Sequence, residues 1–176
     1  NVAVGAYALD ATSGTGDSNT AIGYAALTAN TSGNNNTAAG RGALANNQVG
    51  DHNVAMGRDA LLTNIDGDSS VAIGSYALKT QEPASNISMN NVAVGTSAGY
   101  AVTTGIRNTL VGSSAGDNIT EGQDNIAIGF HALSAVTDAD NSIAIGTYAA
   151  TNSTASIVAV GRSAAANNTS GLANTA

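Results

Sequence analysis

The residue types that most often carry chemistry are few in this chain and poorly spaced for it. It has two histidines, His52 and His131, and no cysteine. Neither histidine has a Ser or Asp partner at a spacing that would build a proton relay, so both read as solvated side chains. Ser113 and Ser114 lie outside any strand-to-helix elbow motif that would present a nucleophilic hydroxyl. The pairs Asp66 with Asp68 and Asp138 with Asp140 are spaced closely enough to offer oxygen ligands to Ca²⁺. The GGxGxD pattern that organises such ligands in β-rolls is missing. These four therefore read as solvated loop acids, with a loop-bound calcium as the alternative. Without cysteine there are no disulfides and no thiolate metal sites. No catalytic residue, cofactor or resident metal is expected.

Composition narrows the classes further. The formal charge is −7, with only 5 Lys and Arg against 12 Asp and Glu. Phosphate backbones need clustered cations, so nucleic acid is excluded as an expected partner. No apolar run approaches the length of a membrane span, and this segment is not expected to be membrane-embedded. Aromatics make up 3% of the chain while Gly contributes 21 residues, so any core must be narrow and built from small side chains.

What positions these residues is an internal repeat, Asn-x-Ala-aliphatic-Gly-x-x-Ala-Leu. It reads NVAVGAYAL from Asn1, NTAIGYAAL from Asn19, NVAMGRDAL from Asn53, SVAIGSYAL from Ser70 and NIAIGFHAL from Asn125. Ten copies align on Gly5, Gly23, Gly40, Gly57, Gly74, Gly95, Gly112, Gly129, Gly146 and Gly161, mostly 17 residues apart. Units begin near residues 1, 19, 36, 53, 70, 91, 108, 125, 142 and 157, and Asn174 opens a partial eleventh. Residues 1–176 thus read as a single array. The spacing of 21 between Gly74 and Gly95 holds the only proline, Pro83, and reads as a loop insertion around 81–90. Both ends fall within the array, so a longer polypeptide is expected.

The residue three before each glycine is β-branched in all ten copies, and the residue one before it is Val or Ile in eight, with Ala39 and Met56 the exceptions. Between them stands Ala in nine copies, with Leu110 the exception. Side chains alternate across a strand, so this triplet predicts a short β-strand with two unlike faces. The β-branched side is read as facing the core. The alanine side, at Ala3, Ala21, Ala38, Ala55, Ala72, Ala93, Ala127, Ala144 and Ala159, is read as the face for chain-to-chain contact. Glycine then turns a corner, and Leu four residues after it can fill the second side of the coil. No apolar stripe of helical period persists. A 17-residue unit cannot hold itself together alone, so units must stack into a parallel β-solenoid, an all-β rod of about ten coils.

The motif N/S-V/T-A-I/V-G-x-x-A, repeated in register, resembles the YadA-like head repeats of trimeric autotransporter adhesins. It is equally similar to the NTAIGY-AL arrays of phage tail-fibre proteins. The resemblance covers essentially the whole chain. It implies a left-handed parallel β-roll, three chains about one axis, and a non-enzymatic adhesive role outside the cell, on a bacterial surface or a virion tail fibre. The partners it implies are further copies of the chain and a host-surface glycan or protein receptor. The unit here is longer than the adhesin head repeat, which favours the tail-fibre relative.

Large side chains cluster just after the corner. Tyr7, Tyr24, Tyr76, Phe130, His131, Tyr148, Arg41, Arg58 and Arg162 all follow the glycine by one or two residues, whereas Tyr100 does not. They are expected to form a discontinuous ridge along one edge of the rod. Such a ridge could bind a ligand by stacking and hydrogen bonding. It could equally cover a groove between neighbouring chains.

Overall fold

The computed structural model describes residues 1–11, 14–153, 156–168 and 174–175. Of the partial eleventh unit, Ala176 lies outside the described residues. The strands are β1 (Val2–Val4), β2 (Thr20–Ile22), β3 (Thr37–Ala39), β4 (Val54–Met56), β5 (Val71–Ile73), β6 (Val92–Val94), β7 (Thr109–Val111), β8 (Ile126–Ile128), β9 (Ile143–Ile145), β10 (Ile157–Val160) and β11 (Asn174–Thr175). They form one parallel sheet in chain order. Equivalent residues sit directly above one another, Ala21 on Ala38, Ala38 on Ala55 and Ala55 on Ala72. The protein is a parallel β-solenoid with a repeat of about 17 residues. Among the described residues no helix is long and apolar enough to cross a membrane.

The corner glycines form a column, as their spacing predicts. Gly57 has φ +138°, and a Cβ built on it would lie 2.6 Å from the carbonyl carbon of Gly74 in the next coil. Both the dihedral and the close approach require glycine. The same corner drives other residues into the left-handed region, among them Leu27, Leu44 and Leu61 at φ 50°. Backbone bonds between coils hold them there; Leu27 N donates to the Ala43 carbonyl at 3.0 Å, and Leu44 N to that of Ala60 at 3.0 Å.

The polarity of the strand faces is the reverse of the sequence reading. Ala21, Ala38, Ala55, Ala72, Ala93, Ala127, Ala144 and Ala159 point into the coil and are fully buried within a single chain, so they cannot meet another one. Ala3 is exposed only because its coil ends the stack, with neighbours on one side. The β-branched residues face outward, with Ile73 39% and Val4 57% exposed. The cause is the width of the coil. Its interior already holds a second alanine column, Ala26 to Ala149, and the leucines Leu27, Leu44, Leu61, Leu78 and Leu133. Only a methyl fits opposite them at close-packed density.

Leu110, the exception in the alanine column, follows the same rule. Its coil and the one before it carry glycine where six others carry leucine and the last two alanine. A Cβ on Gly99 would meet Leu110 Cδ1 at 2.7 Å, and one on Gly116 would meet Cδ2 at 2.7 Å. The large side chain has moved from one wall of the coil to the other.

Asparagine supplies the remaining interior surface. Asn36 N donates to Asn19 Oδ1 at 2.8 Å, and Asn36 Nδ2 donates to the Gly50 carbonyl at 2.7 Å. Asn53 repeats both bonds one coil later at 2.9 and 2.8 Å. A second column runs from Asn30 through Asn47 to Asn64, each amide donating to the one before. Buried amides are costly unless bonded, and here each coil satisfies the next. The insertion leaves the sheet register intact. It bridges back to the array through Asp68 and Ser88 and inserts Met89 into the core.

Candidate interaction surface

Because the coil is narrow, the sheet turns its larger apolar side chains to solvent. Ile22, Met56, Ile73, Ile128, Ile145 and Val160 are exposed, while Val54, Val71, Ile126 and Ile143 beside them are half-buried. Coil spacing near 4.8 Å makes the row from β2 to β10 about 38 Å long, with Thr20, Thr37 and Thr109 interrupting the column beside it.

Along one edge of the strip run the residues that follow the corner glycine. The structure gathers most of the expected ridge into clusters. Tyr7 meets Tyr24 edge-on at 5.5 Å between ring centres. Arg41 is exposed on the next coil and Arg162 near the far end. Arg58 places its guanidinium 5.0 Å from the Tyr76 ring centre and bonds Asp59 at 3.2 Å. Phe130 lies edge-on to Tyr148 at 5.4 Å, and His131 stacks on Tyr148 with 7° between planes. Two members were missed. Lys79 Nζ sits 5.3 Å from the centres of both Tyr76 and Tyr100 and 3.4 Å from the Tyr100 hydroxyl. Both Lys79 and Tyr100 come five residues after their glycines. A reader who knew that the turn folds that position back beside the second residue would have found them.

The opposite edge is acidic. Asp17, Asp51, Asp68, Asp124 and Asp140 stand five or six residues before their corner glycines. Several belong to a backbone ladder: Asp17 N donates to Asn34 Oδ1 at 2.8 Å, Asp51 N to Asp68 Oδ1 at 2.7 Å and Gln123 N to Asp140 Oδ1 at 2.9 Å. Burial raises the pKa of Asp68, partly offset by the bond from Asp51. Arg107 is the cation on this side, and it is held by Asp124 at 2.6 Å. That pairing keeps the Asp124 carboxyl below its ordinary range.

The residues weighed for chemistry are scattered. His52 is within 3.4 Å of the Asn35 amide, on the acidic side, whereas His131 belongs to the aromatic edge. Asp138 accepts from the Thr120 hydroxyl at 2.9 Å. Asp66 keeps one enclosed oxygen without a partner. Among the described residues no group of three or more His, Cys, Asp or Glu could hold a metal ion. Two shallow hollows, one lined by Asn1, Leu9 and Asn30 and the other by Val136, Asp138 and Ser153, bring no acid and base together.

Compared with protein-family models, curated proteins and solved structures, the chain gives no match to any of them. The geometry therefore defines the class, a repeat solenoid with one apolar face between an aromatic, basic edge and an acidic one.

Proposed function

We propose that the chain is a non-enzymatic structural and adhesive fibre segment in which three copies pack their Val and Ile faces around a common axis. The assembled rod projects a binding surface outside the cell toward a host glycan or protein receptor. One observation carries the reading. The outward row from Ile22 through Ile73 to Val160 is apolar on every coil, exposed in a single chain at six positions and half-buried at Ala39, Val94 and Val111. Monomers rarely leave so long an apolar strip uncovered. The number three comes from the resemblance to adhesin heads. The length of the 17-residue unit supports a phage tail-fibre shaft as the second setting for the same architecture.

Native mass in solution tests this. The expected value is three times the 17.1 kDa of one chain. Ile73→Asp with Ile128→Asp is expected to return the single-chain mass while the circular dichroism of the coils persists. A wild-type chain that remains monomeric at micromolar concentration would sink the reading.

A further inference from the structure

The two edges that flank the apolar face differ in charge, and their cations and carboxylates lie on the same or nearby coils. Resting on the assembly proposed above, in which copies about one axis all run the same way, we infer that neighbours meet edge to edge, the arginine-bearing edge of one against the carboxylate edge of the next.

The first edge holds Arg41, Arg58 and Arg162 one residue after their glycines and Lys79 five after its own, with Asp59 and Asp117 as acids among them. The second holds Asp17, Asp51, Asp68, Asp124 and Asp140, with Arg107 as its arginine. Along the rod, Arg41 and Arg58 occupy the coils of β3 and β4, and Asp17, Asp51 and Asp68 those of β2, β4 and β5. The coils of β6 and β7 carry Thr96, Ser97, Ser113 and Ser114 after the glycines of the first edge and no cation there, only Asp117 further on; the second edge has no acid in the matching places, only Arg107. Beyond them Asp140 stands on the β9 coil of the second edge and Arg162 on the β10 coil of the first, whereas Asp124 on the β8 coil is already held by Arg107. Rungs lie about 4.8 Å apart, so cation and carboxylate heights agree within one or two rungs.

Symmetry turns this into a statement about direction. Where copies of one face run the same way around or beside an axis, opposite edges meet; where two copies run in opposite directions, like edges meet. Antiparallel association would set Asp51 and Asp68 against another acidic edge, and like-charge juxtaposition is strongly unfavourable at a contact. Parallel association brings them to Arg41 and Arg58. Among the described residues Arg41 has no carboxylate within its own chain, and Arg58 has only its neighbour Asp59. The partner of this edge is thus a second copy rather than a soluble ligand.

The test compares the native mass of the whole chain with three variants. Arg41→Glu with Arg58→Glu makes both edges acidic. Asp51→Asn, Asp68→Asn and Ser69→Lys make the other edge basic while keeping the Oδ1 acceptors of the ladder, as Asn34 already does. The last variant combines all five changes. The first is expected to self-associate about tenfold more weakly or worse at low salt. Its deficit is expected to shrink in about 1 M salt, where the Debye length is about 3 Å. The combined chain is expected to recover association. A wild-type multimer unaffected by Arg41→Glu with Arg58→Glu, or a deficit that the combination does not recover, overturns the edge pairing and leaves the fibre reading standing. A monomeric wild type removes both.

If the double Glu variant misfolds by circular dichroism, Arg41→Lys with Arg58→Lys supplies a second measurement. Zero-length carbodiimide coupling in a mixture of plain and isotope-labelled chains is expected to join position 41 or 58 to Asp51 or Asp68 of another copy. Association without such links overturns the inference.

Discussion

Gln81 reaches across the interior to Ser70, whose hydroxyl donates to Gln81 Oε1 at 3.1 Å. Elsewhere the place of Ser70 is mostly asparagine, bonded to a glycine carbonyl fourteen residues on, as Asn53 is to Gly67. The insertion after Gln81 displaces that carbonyl. Gln81, one methylene longer than the asparagines of its own column, spans to the neighbouring column and also accepts from Asn91 Nδ2 at 2.9 Å. Gln81→Leu keeps the volume, orphans the Ser70 hydroxyl and leaves Asn91 Nδ2 with its bond to the Gly105 carbonyl alone. Such an orphan costs about 1–3 kcal/mol, so urea denaturation is expected to show a lower midpoint with an unchanged slope. A midpoint equal to wild type would mean that the crossing bond contributes nothing.

Leu110 and the two glycines beside it form one packing unit. Leu110→Ala is expected to cost about 2–5 kcal/mol through the cavity it opens. Gly116 has φ +58°, close to the φ 50° at which Leu61 sits in the same turn position. Gly116→Leu added to Leu110→Ala is therefore expected to restore most of the loss, while Gly116→Leu alone overpacks. Additive losses in thermal melts would disprove the exchange of volume between walls.

Gly57→Ala places a Cβ against the Gly74 carbonyl at a dihedral that L-residues avoid. Strain and overpacking together are expected to remove about 3 kcal/mol or more. The effect should be local. Hydrogen exchange is expected to accelerate first in β4 and β5, and uniform acceleration from β1 to β10 would contradict it.

Asp68, Glu82 and Asp117 all have pKa values raised mainly by burial. A raised folded-state value means that the folded chain holds the proton more tightly than the unfolded one. Stability from these groups is present below the ordinary carboxylate range and is lost as pH rises through the raised values. Melting temperature is accordingly expected to increase as pH falls from 7 toward about 4.5. Asp68→Asn retains the acceptor for Asp51 N and is expected to stabilise the chain at pH 7 and flatten the dependence. A melting temperature that declines steadily over that interval would refute it.

The strand triplets, the glycine corners and the buried leucines were legible because stacking gives every copy the same environment, so ten copies repeat one requirement. The direction of the strand faces was not. Period two separates Ala72 from Val71 and Ile73 without saying which side is inside, and ranking by hydrophobicity puts the wrong one there. What decides is the cross-section, set by Leu78 and Ala77 on the facing wall, and that is a property of the closed coil. Lys79 escaped notice for a similar reason, since only the turn brings it beside Tyr76. The acidic edge was present as residues, but Asp51 and Asp68 lie 17 apart in the chain and only stacking sets one above the other.

The columns of Asn19, Asn36 and Asn53 also fix how the rod would yield to tension. Each coil is bonded chiefly to the coils before and after it, so a pull on the two chain ends loads one boundary at a time. Every coil that peels away would release about 50 Å of slack, from 17 residues extending at about 3.4 Å each less the rung they leave. Such a shaft sheds load in small equal steps and re-forms each lost coil on the template of the one still standing.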